Sequence, residues 1–571
     1  MSKGSRIRVS KTVLTISISL IIGMVFFHLV ELYTFDHFFH LETAKHYLQN
    51  PFSIVQISLN VGRNVTTYPP LGHLILSRMS NYFGLFFSIR VLSVIGWVFL
   101  SYNVSKFFIE FIKIDETYFP WIYFFVFFTS GFFEMLFTYG QFTTLLGFGF
   151  GFLASRILIK CLREKIYRNY LFFALSFSIV GFTHHFSFII FSIFFVLLFI
   201  SETEFLDVYK FKWILFSLFL VFIIILGGLN PFLNSLLEEP ISGVEITHNS
   251  RESIFTYDRD LRVQWIYSDI GLAAIGLISP LVFIKIGMFS GGIFKIWIIS
   301  LLFLVLGLGR TTFLPEIIFG DLFSWLTYER FIIFSGLLLS GITGYMFAVI
   351  KENYAKFGKK LFVLTVLVYF LFNFGLSLQS YETFHGTSMF DIDLVRLSHN
   401  EFILSYLESN STGEHRFQTL GYGYRISELT ILSGQSTTDT EYYQGRNIDW
   451  LNRKGQPKID RINPILLDKF FDEADENGLK HVFAFESDQL GDYPLYLDIL
   501  EPEGFEKVKD DEIELTGNRV TVWENKNLQE PTHLELTRNY AWTLVPITVL
   551  IIFFTAYLWP ENSLKKVLCV K

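Results

Sequence analysis

Asp36 stands in the stretch Phe35-Asp36-His37-Phe38-Phe39-His40-Leu41, a few positions past the end of the first long apolar run, Thr12 to Tyr33. A carboxylate and two imidazoles at a membrane edge are costly to hold beside lipid, so they mark a functional site by default. The plainer reading is a solvated polar loop. Glu134 interrupts another apolar run, Tyr118 to Phe137, where a carboxylate asks for a purpose. Its plainer reading is a helix-end residue reaching the interface. His37, His40, His184 and His185 could join Asp36 around a divalent ion. Against that, adjacent histidines seldom face one ion, and histidines at membrane interfaces are common.

Composition sets the class of molecule that must position these groups. The chain is 51% hydrophobic and 18% aromatic, with 17% charged residues, and its mean hydropathy is +0.43. A soluble protein of 571 residues could not hide that much apolar surface, so most of the chain is expected in lipid. A net charge of -7 offers no basic footprint for nucleic acid. The two cysteines, Cys161 and Cys569, fall in segments assigned to the cytoplasmic side, and no disulfide framework is expected. The first apolar run is long and no small-residue cleavage site follows it, which favours a retained helix over a cleaved signal peptide.

A span needs about 20 apolar residues, and about twelve such runs can be marked. After the first come Phe86–Val104, Tyr118–Phe137, Phe142–Leu158, Tyr170–Gly181, Phe186–Ile200 and Trp213–Leu229. Ile270–Ile286, Ile293–Leu308, Phe331–Ile350 and Leu361–Leu378 follow, and Tyr540–Leu558 stands alone near the C-terminus. Lys3, Arg6, Arg8 and Lys11 precede the first run without an acid, so both termini are predicted cytoplasmic. Alternate loops agree. Lys106 and Lys113, then Lys160, Arg163, Lys165 and Arg168, then Lys210 and Lys212 all fall inside. So do Lys285 and Lys295, Lys351, Lys356, Lys359 and Lys360, and the tail residues Lys565, Lys566 and Lys571.

This threading places Asp36–Leu85, the acidic stretch Asn230–Asp269 and the long segment Gln379–Asn539 on the extracytoplasmic side. The last is large enough for a domain. Helical patterns near Val395–Ser409 and Pro464–Asn477, with strand-like His481–Phe485 and Val520–Trp523, predict a small α/β domain. Asn64-Val65-Thr66 and Asn410-Ser411-Thr412 are short glycosylation-type sequons on that side. Phe39–Leu48 mixes apolar and charged residues as a helix lying flat on the membrane would. Tyr68-Pro69-Pro70-Leu71 opens a second such helix, with proline in its favoured first turn. The fold class is therefore an α-helical polytopic membrane protein with a small extracytoplasmic α/β domain. Its expected parts are a membrane domain at 1–379, the α/β domain at 380–535, and an anchor with a cytoplasmic tail at 536–571.

An outward first helix, an early Asp, two surface helices and the Tyr-Pro-Pro-Leu turn together resemble the GT-C membrane glycosyltransferases. The nearer likeness is to prokaryotic members with Asp-x-x-x-His in the first loop, matched by Asp36 and His40. Tyr139-Gly140-Gln141-Phe142 and Glu329-Arg330-Phe331 are further matching pieces. The resemblance implies transfer of a sugar from a polyprenyl-phosphate carrier to a glycan, lipid or protein acceptor, with Asp36 acting on the acceptor. A hydroxyl attacking an anomeric carbon needs a base, and the departing phosphate needs a cation. Arg330 and Arg310 sit at the outer ends of their spans for that role, with Arg330 favoured. His40, Tyr68 and His184 are expected at the substrate. Many such enzymes pair two acids in the first loop. Here His37 follows Asp36, and Glu134 is the candidate for the second acid. No tryptophan-rich motif of the oligosaccharyltransferase kind is recognisable, which argues against en-bloc transfer to asparagine.

Two other classes of function fit the same composition. A transporter or flippase of a lipid-linked substrate would place polar sites near the midplane in two related halves, whereas here the ionisable residues gather at the outer ends. A transferase scaffold without activity is the other, since one carboxylate carries most of the catalytic case. The expected setting is the plasma membrane, with membrane lipids and a lipid-linked sugar as partners, no nucleic acid, and a divalent metal as an open alternative.

Overall fold

The computed structural model describes residues 11–29, 35–59, 61–164, 166–202, 204, 207–238, 249–255, 266, 268–353, 359–385, 394–411, 415–422, 425–439, 448, 450–451, 459, 464–486, 493–513, 517–528 and 536–558. The basic run before Lys11, the acidic residues Glu239, Glu245, Asp258 and Asp260, and the tail with Cys569 lie outside the described residues.

Every apolar run becomes a helix. The body begins with α1 (Lys11–Leu29), α2 (Phe35–Gln49), α3 (Leu71–Phe83) and α4 (Leu85–Ile112). It continues with α5 (Phe119–Phe127) and α6 (Ser130–Thr138), bent by 52° at their junction. Next come α7 (Phe142–Arg163), α8 (Tyr167–Thr183), α9 (His185–Ser201) and α10 (Val208–Glu238). The last of these is kinked at Leu229, two residues before Pro231, whose ring and missing N–H interrupt the helical ladder. Then follow α11 (Ser268–Lys285), α12 (Gly291–Gly307), α13 (Leu314–Phe319), α14 (Glu329–Asn353) and α15 (Lys359–His385). Among the described residues eight helices are long and apolar enough to cross a membrane, or nine if the bent pair is one span. α9 and α12 are apolar but shorter.

The helices pack through aromatic rings. Trp97 stacks on Phe127 with centroids 4.2 Å apart, and Phe334 meets Phe152, Phe191, Phe194 and Phe303 within 4.5–5.4 Å. Lipid tails compete away any hydrophobic drive between helices, so close packing is what holds them.

The α/β domain carries α16 (Leu394–Asn410), β3 (Arg416–Leu420), α17 (Ile426–Ser433), β4 (Ser436–Thr437), α18 (Pro464–Asp472), β5 (Leu479–Phe485), α19 (Tyr493–Leu500), β6 (Phe505–Ile513) and β7 (Asn518–Asn525). The sheet order is β4-β3-β5-β7-β6, parallel across β4, β3 and β5 and antiparallel beyond. Side chains alternate across a strand. Val482 and Ala484 join Trp523 and Phe470 in the core on one face, while Phe483 and Phe485 join Val522 and Leu407 on the other.

This domain sits on the first loop. α17 packs against α2, Lys45 Nζ donates to the Thr430 carbonyl (3.2 Å), and Thr437 N–H donates to Ser58 O (2.9 Å). β1 (Val55–Gln56) and β2 (Arg63–Asn64) form a short hairpin beneath it, and Val61 enters the domain core. The final helix α20 (Tyr540–Leu558) packs on α8 and α10 and is tied to the same loop. Trp542 Nε1 donates to Tyr47 Oη (2.7 Å) and Thr543 Oγ1 to Pro51 O (2.6 Å). Thus α2 differs from a helix lying open on a membrane. Nearly all of it is buried, from Asp36 through Ala44, because protein covers its second face.

Candidate active site

The geometry begins on α2. Asp36 is in its first turn and His40 follows four residues later, so both project from one face of the helix. Both are buried. His40 Nδ1 lies 2.8 Å from His73 Nε2 on the first turn of α3. The tautomers follow from the second partner of His73, which hydrogen-bonds the Pro69 carbonyl. With its other nitrogen donating there, neutral His73 accepts at Nε2, so His40 donates from Nδ1 and carries its lone pair on Nε2. Burial pulls His73 down to about 3 and holds His40 well below the ordinary imidazole range, with His73 adding to the effect. Both rings are neutral at pH 7.

Tyr68 links α2 and α3 to the body. Its hydroxyl lies 2.6 Å from Thr143 Oγ1, and its ring lies 5.6 Å from His40, 6.0 Å from His184 and 5.7 Å from His185. Burial pushes the phenol up to about 12, and it lies within electrostatic reach of Arg330, Asp36 and Arg63. The close approach depends on Gly72. A Cβ there would meet Thr143 Cγ2 at 2.8 Å. Gly140, with φ of +72°, turns the chain into α7 and brings Gln141, Thr143 and Thr144 to the site.

A second polar chain runs from His184 to Arg330. His184 caps α9, accepting at Nδ1 from the Ser187 N–H (3.2 Å), so its proton is on Nε2, which donates to Thr144 Oγ1 (3.3 Å). Thr144 donates to Gln141 Oε1 (3.3 Å), and Arg330 Nε donates to the same oxygen (3.1 Å). Arg330 also donates from Nη1 to Thr327 Oγ1 (2.7 Å) and lies 5.1 Å from the Phe186 ring. Every one of these partners is neutral. Among the described residues no carboxylate pairs with Arg330.

The N-terminal ends of α2, α3, α7, α9 and α14 therefore meet in one place. Each carries roughly half a positive charge, and together with the half-buried Arg330 they form a setting for an anion. Arg63 adds another cation. It is buried on the Phe39 ring at 4.3 Å and donates to Thr67 Oγ1 (3.2 Å). His40 and His73 bond each other and His184 caps a helix. No set of three or more His, Cys, Asp or Glu comes together among the described residues to hold a metal.

Of the residues singled out from the sequence, His40, Tyr68, His184 and Arg330 join this group, and Asp36 shares the α2 face with His40. Glu134 bonds to none of these residues in the contacts described for them. It is fully buried and its Oε2 accepts from Ser380 Oγ of α15 (3.0 Å). Arg310 is half-exposed, paired with Glu316 (3.3 Å) and Glu252 (3.8 Å), and lies over Phe323. Arg63, His73, Thr143, Thr144 and Gln141 were not singled out for the site. Gln141 had a signal, since it stands in the Tyr-Gly-Gln-Phe stretch that opens α7. The Asn64 sequon is folded into a turn, with Asn64 Oδ1 accepting from the Thr66 N–H (3.0 Å) and hydroxyl (2.7 Å).

No protein-family model matches the chain, and no curated protein matches it in sequence. Solved structures do match. ArnT from Cupriavidus metallidurans bound to undecaprenyl phosphate superposes with a TM-score of 0.53 at 11% identity, covering 91% of this chain and 99% of that one. Its apo state gives 0.54 at 10% identity with the same coverage. The arabinofuranosyltransferase AftD from Mycobacteria gives 0.52 at 11% identity, covering 89% of this chain and 41% of that larger one.

The chain has the GT-C fold.

This likeness is one of architecture, and its coverage of 91% of this chain takes in both the helical body and the α/β domain.

Proposed function

We propose that this protein is a membrane glycosyltransferase that moves a sugar from a polyprenyl-phosphate carrier to an acceptor hydroxyl at the extracytoplasmic face of the plasma membrane. The observation that carries the reading is the meeting of helix N-termini and the acid-free Arg330 beside the face of α2 that bears Asp36 and His40. The GT-C fold, shared with an ArnT solved with undecaprenyl phosphate, supports a lipid-anchored phosphate as the ligand of such a site.

The chemistry balances with few groups. The acceptor oxygen attacks the anomeric carbon, its proton passes to the Asp36 carboxylate, and the bond from that carbon to the carrier phosphate breaks. Polyprenyl phosphate leaves with the electron pair, and Arg330, held by Gln141 and Thr327, stabilises its charge. Arg63 adds positive potential. His40 presents a lone pair on Nε2, so it accepts from a sugar or acceptor hydroxyl rather than gripping the phosphate. Tyr68 fixes the wall between the two polar chains. A single displacement inverts the anomeric carbon. Glu134, bonded to Ser380, braces α6 against α15 and leaves the proton transfer to Asp36. The acceptor is a glycan, lipid or protein hydroxyl.

The test is purified protein in bilayers supplied with a panel of polyprenyl-phosphate sugars and lipid or glycan acceptors, followed by release of free polyprenyl phosphate. Turnover with at least one donor, and an inverted product, is expected. Movement of the intact lipid-linked sugar across the bilayer without cleavage would replace this reading with transport.

A further inference from the structure

The last turn of α6, Glu134–Thr138, is wider than an α-helical turn. Tyr139 N–H donates to Glu134 O (2.9 Å), and Gln141 N–H donates to Met135 O (2.7 Å). A π-turn of this kind holds one extra residue and recurs at functional sites. At 3.6 residues per turn, the extra residue rotates everything after it by about 100°. What comes after is Gly140, Gln141 and the start of α7. Gln141 Oε1 is where the polar chains of the candidate active site join, one through Arg330 Nε and one through Thr144. The π-turn therefore sets where Arg330 is held.

A buried polar seam fastens this turn from behind. Ser130 and Glu134 stand one turn apart on α6, and Asn373, Ser377 and Ser380 form a stripe on α15. All of them are buried. Ser380 Oγ donates to Glu134 Oε2 (3.0 Å), and Ser377 Oγ donates to the Asn373 carbonyl (3.1 Å). Asn373 Nδ2 donates to the Phe128 carbonyl at the break between α5 and α6 (2.9 Å), while its Oδ1 accepts from Leu272 N–H of α11 (2.9 Å). The Asp269 carbonyl lies so close to Gly131 of α6 and Gly336 of α14 that a Cβ would meet it at 3.0 and 3.1 Å. Gly336 stands on the helix that Arg330 opens, so the seam and this contact share one register of α6, α11, α14 and α15. Within the π-turn Met135, Leu136 and Phe137 offer only apolar contact, and the Glu134 carboxyl supplies a directional tie to α15. A carboxyl is a costly group to hold between membrane helices without a use.

We propose that Glu134 is a positioning residue for the carrier phosphate, acting through the π-turn and Gln141 on Arg330 without touching substrate. For the identity of the ligand this rests on the glycosyltransferase reading. Loss of the Glu134–Ser380 bond frees the turn to relax toward a plain helix, which carries Gln141 away from Arg330. Arg330 then keeps Thr327 as a partner and loses the bond that aims its Nε. An amide at position 134 still accepts from Ser380. The role therefore calls for an oxygen acceptor of this length and not for a charge.

The experiment follows amide hydrogen exchange over Tyr139–Leu145 and binding of polyprenyl phosphate, both on the full chain in bilayers. Glu134→Leu and Ser380→Ala are expected to speed exchange in that segment and to weaken binding about three- to tenfold, a usual range for residues coupled through one network. Glu134→Gln is expected to stay near wild type in both. In an Arg330→Gln background Glu134→Leu should weaken binding no further, a result that lost stability alone does not give. Tyr369→Phe breaks the Ser340–Tyr369 bond between α14 and α15 (2.8 Å) and should lower the unfolding midpoint with binding unchanged. Unchanged exchange in Glu134→Leu and Ser380→Ala would overturn the positioning role. So would an equal loss of binding in Glu134→Gln or Tyr369→Phe, or a full Glu134→Leu effect on top of Arg330→Gln. A wild type that binds no polyprenyl phosphate would overturn the glycosyltransferase reading, and the exchange result would still decide whether Glu134 holds the turn.

Discussion

Arg330 and the His40–His73 pair make separate predictions at the level of single residues. Arg330 is held by the neutral Gln141 and Thr327, so removing its guanidinium costs two hydrogen bonds to neutral groups and the charge it offers a ligand. Arg330→Gln is expected to raise KM for the carrier-linked donor and lower kcat/KM about 10- to 100-fold, the value of a hydrogen bond to a charged group. Unchanged donor kinetics would contradict its phosphate role. The histidines predict a pH dependence of stability. Their folded pKa values lie below the unfolded value near 6.5, with His73 at about 3. Below pH 6.5 the unfolded chain takes up protons that the folded pair refuses. Stability is therefore fully present above about 6.5 and is lost as pH falls toward 3, by about 1.4 kcal/mol per pH unit for one imidazole. The thermal unfolding midpoint should drop between pH 7.5 and 5, and drop less in a His40→Phe, His73→Phe double variant. A midpoint as high at pH 5 as at 7.5 would contradict the assignment. Asp36 and His40, which share one face of α2, stood out in the sequence because charge at the end of an apolar run is conspicuous. Thr143 and Thr144 were not, since two threonines in an apolar helix carry no signal until Tyr68 is seen to reach one of them.

Among the elements, α2 and α3 decide whether the site exists. Their positions rest on a few contacts that bring distant parts of the chain together. Gly72→Ala would place a methyl group 2.8 Å from Thr143 Cγ2. Overpacking of this kind costs about 1–3 kcal/mol, and it would push α3 from α7 and part Tyr68 from Thr143. Activity should fall with a lowered unfolding midpoint, and Thr143→Ser, which removes the offending methyl, should restore part of both. Trp542→Phe removes the donor to Tyr47 and is expected to destabilise by about 1–3 kcal/mol, because it leaves a buried hydroxyl short of a partner. No change in the midpoint would show that the C-terminal helix does not secure α2. The apolar runs foretold where helices form, since about 20 such residues have few other fates in lipid. They did not foretell the 52° bend between α5 and α6 or the burial of α2. Nor did they foretell the kink of α10 at Leu229, beside Pro231. The mixed charges of α2 read as a membrane-surface helix because the α/β domain that covers it lies more than 350 residues later, with Lys45 bonded to Thr430.

For the whole molecule, the two ends of the helical body differ in what they gather. One end of the body gathers helix starts, the α2 carboxylate and the α/β domain, and the other gathers the basic residues Arg156, Lys160 and Arg168. The short strand-like runs His481–Phe485 and Val520–Trp523 between helical stretches made an α/β domain readable from the sequence, whereas its seat on α2 follows only from the three-dimensional contacts of Val61, Ser58 and Thr430. The account rests most heavily on Asp36 as the base of a sugar transfer. Its most direct test compares wild type, Asp36→Asn and Glu134→Gln for single-turnover release of polyprenyl phosphate from a saturating sugar-loaded carrier. The account predicts a loss of about 100- to 10,000-fold in Asp36→Asn, the usual worth of a general base, with donor binding retained, and Glu134→Gln within a few-fold of wild type. Full turnover by Asp36→Asn would contradict it.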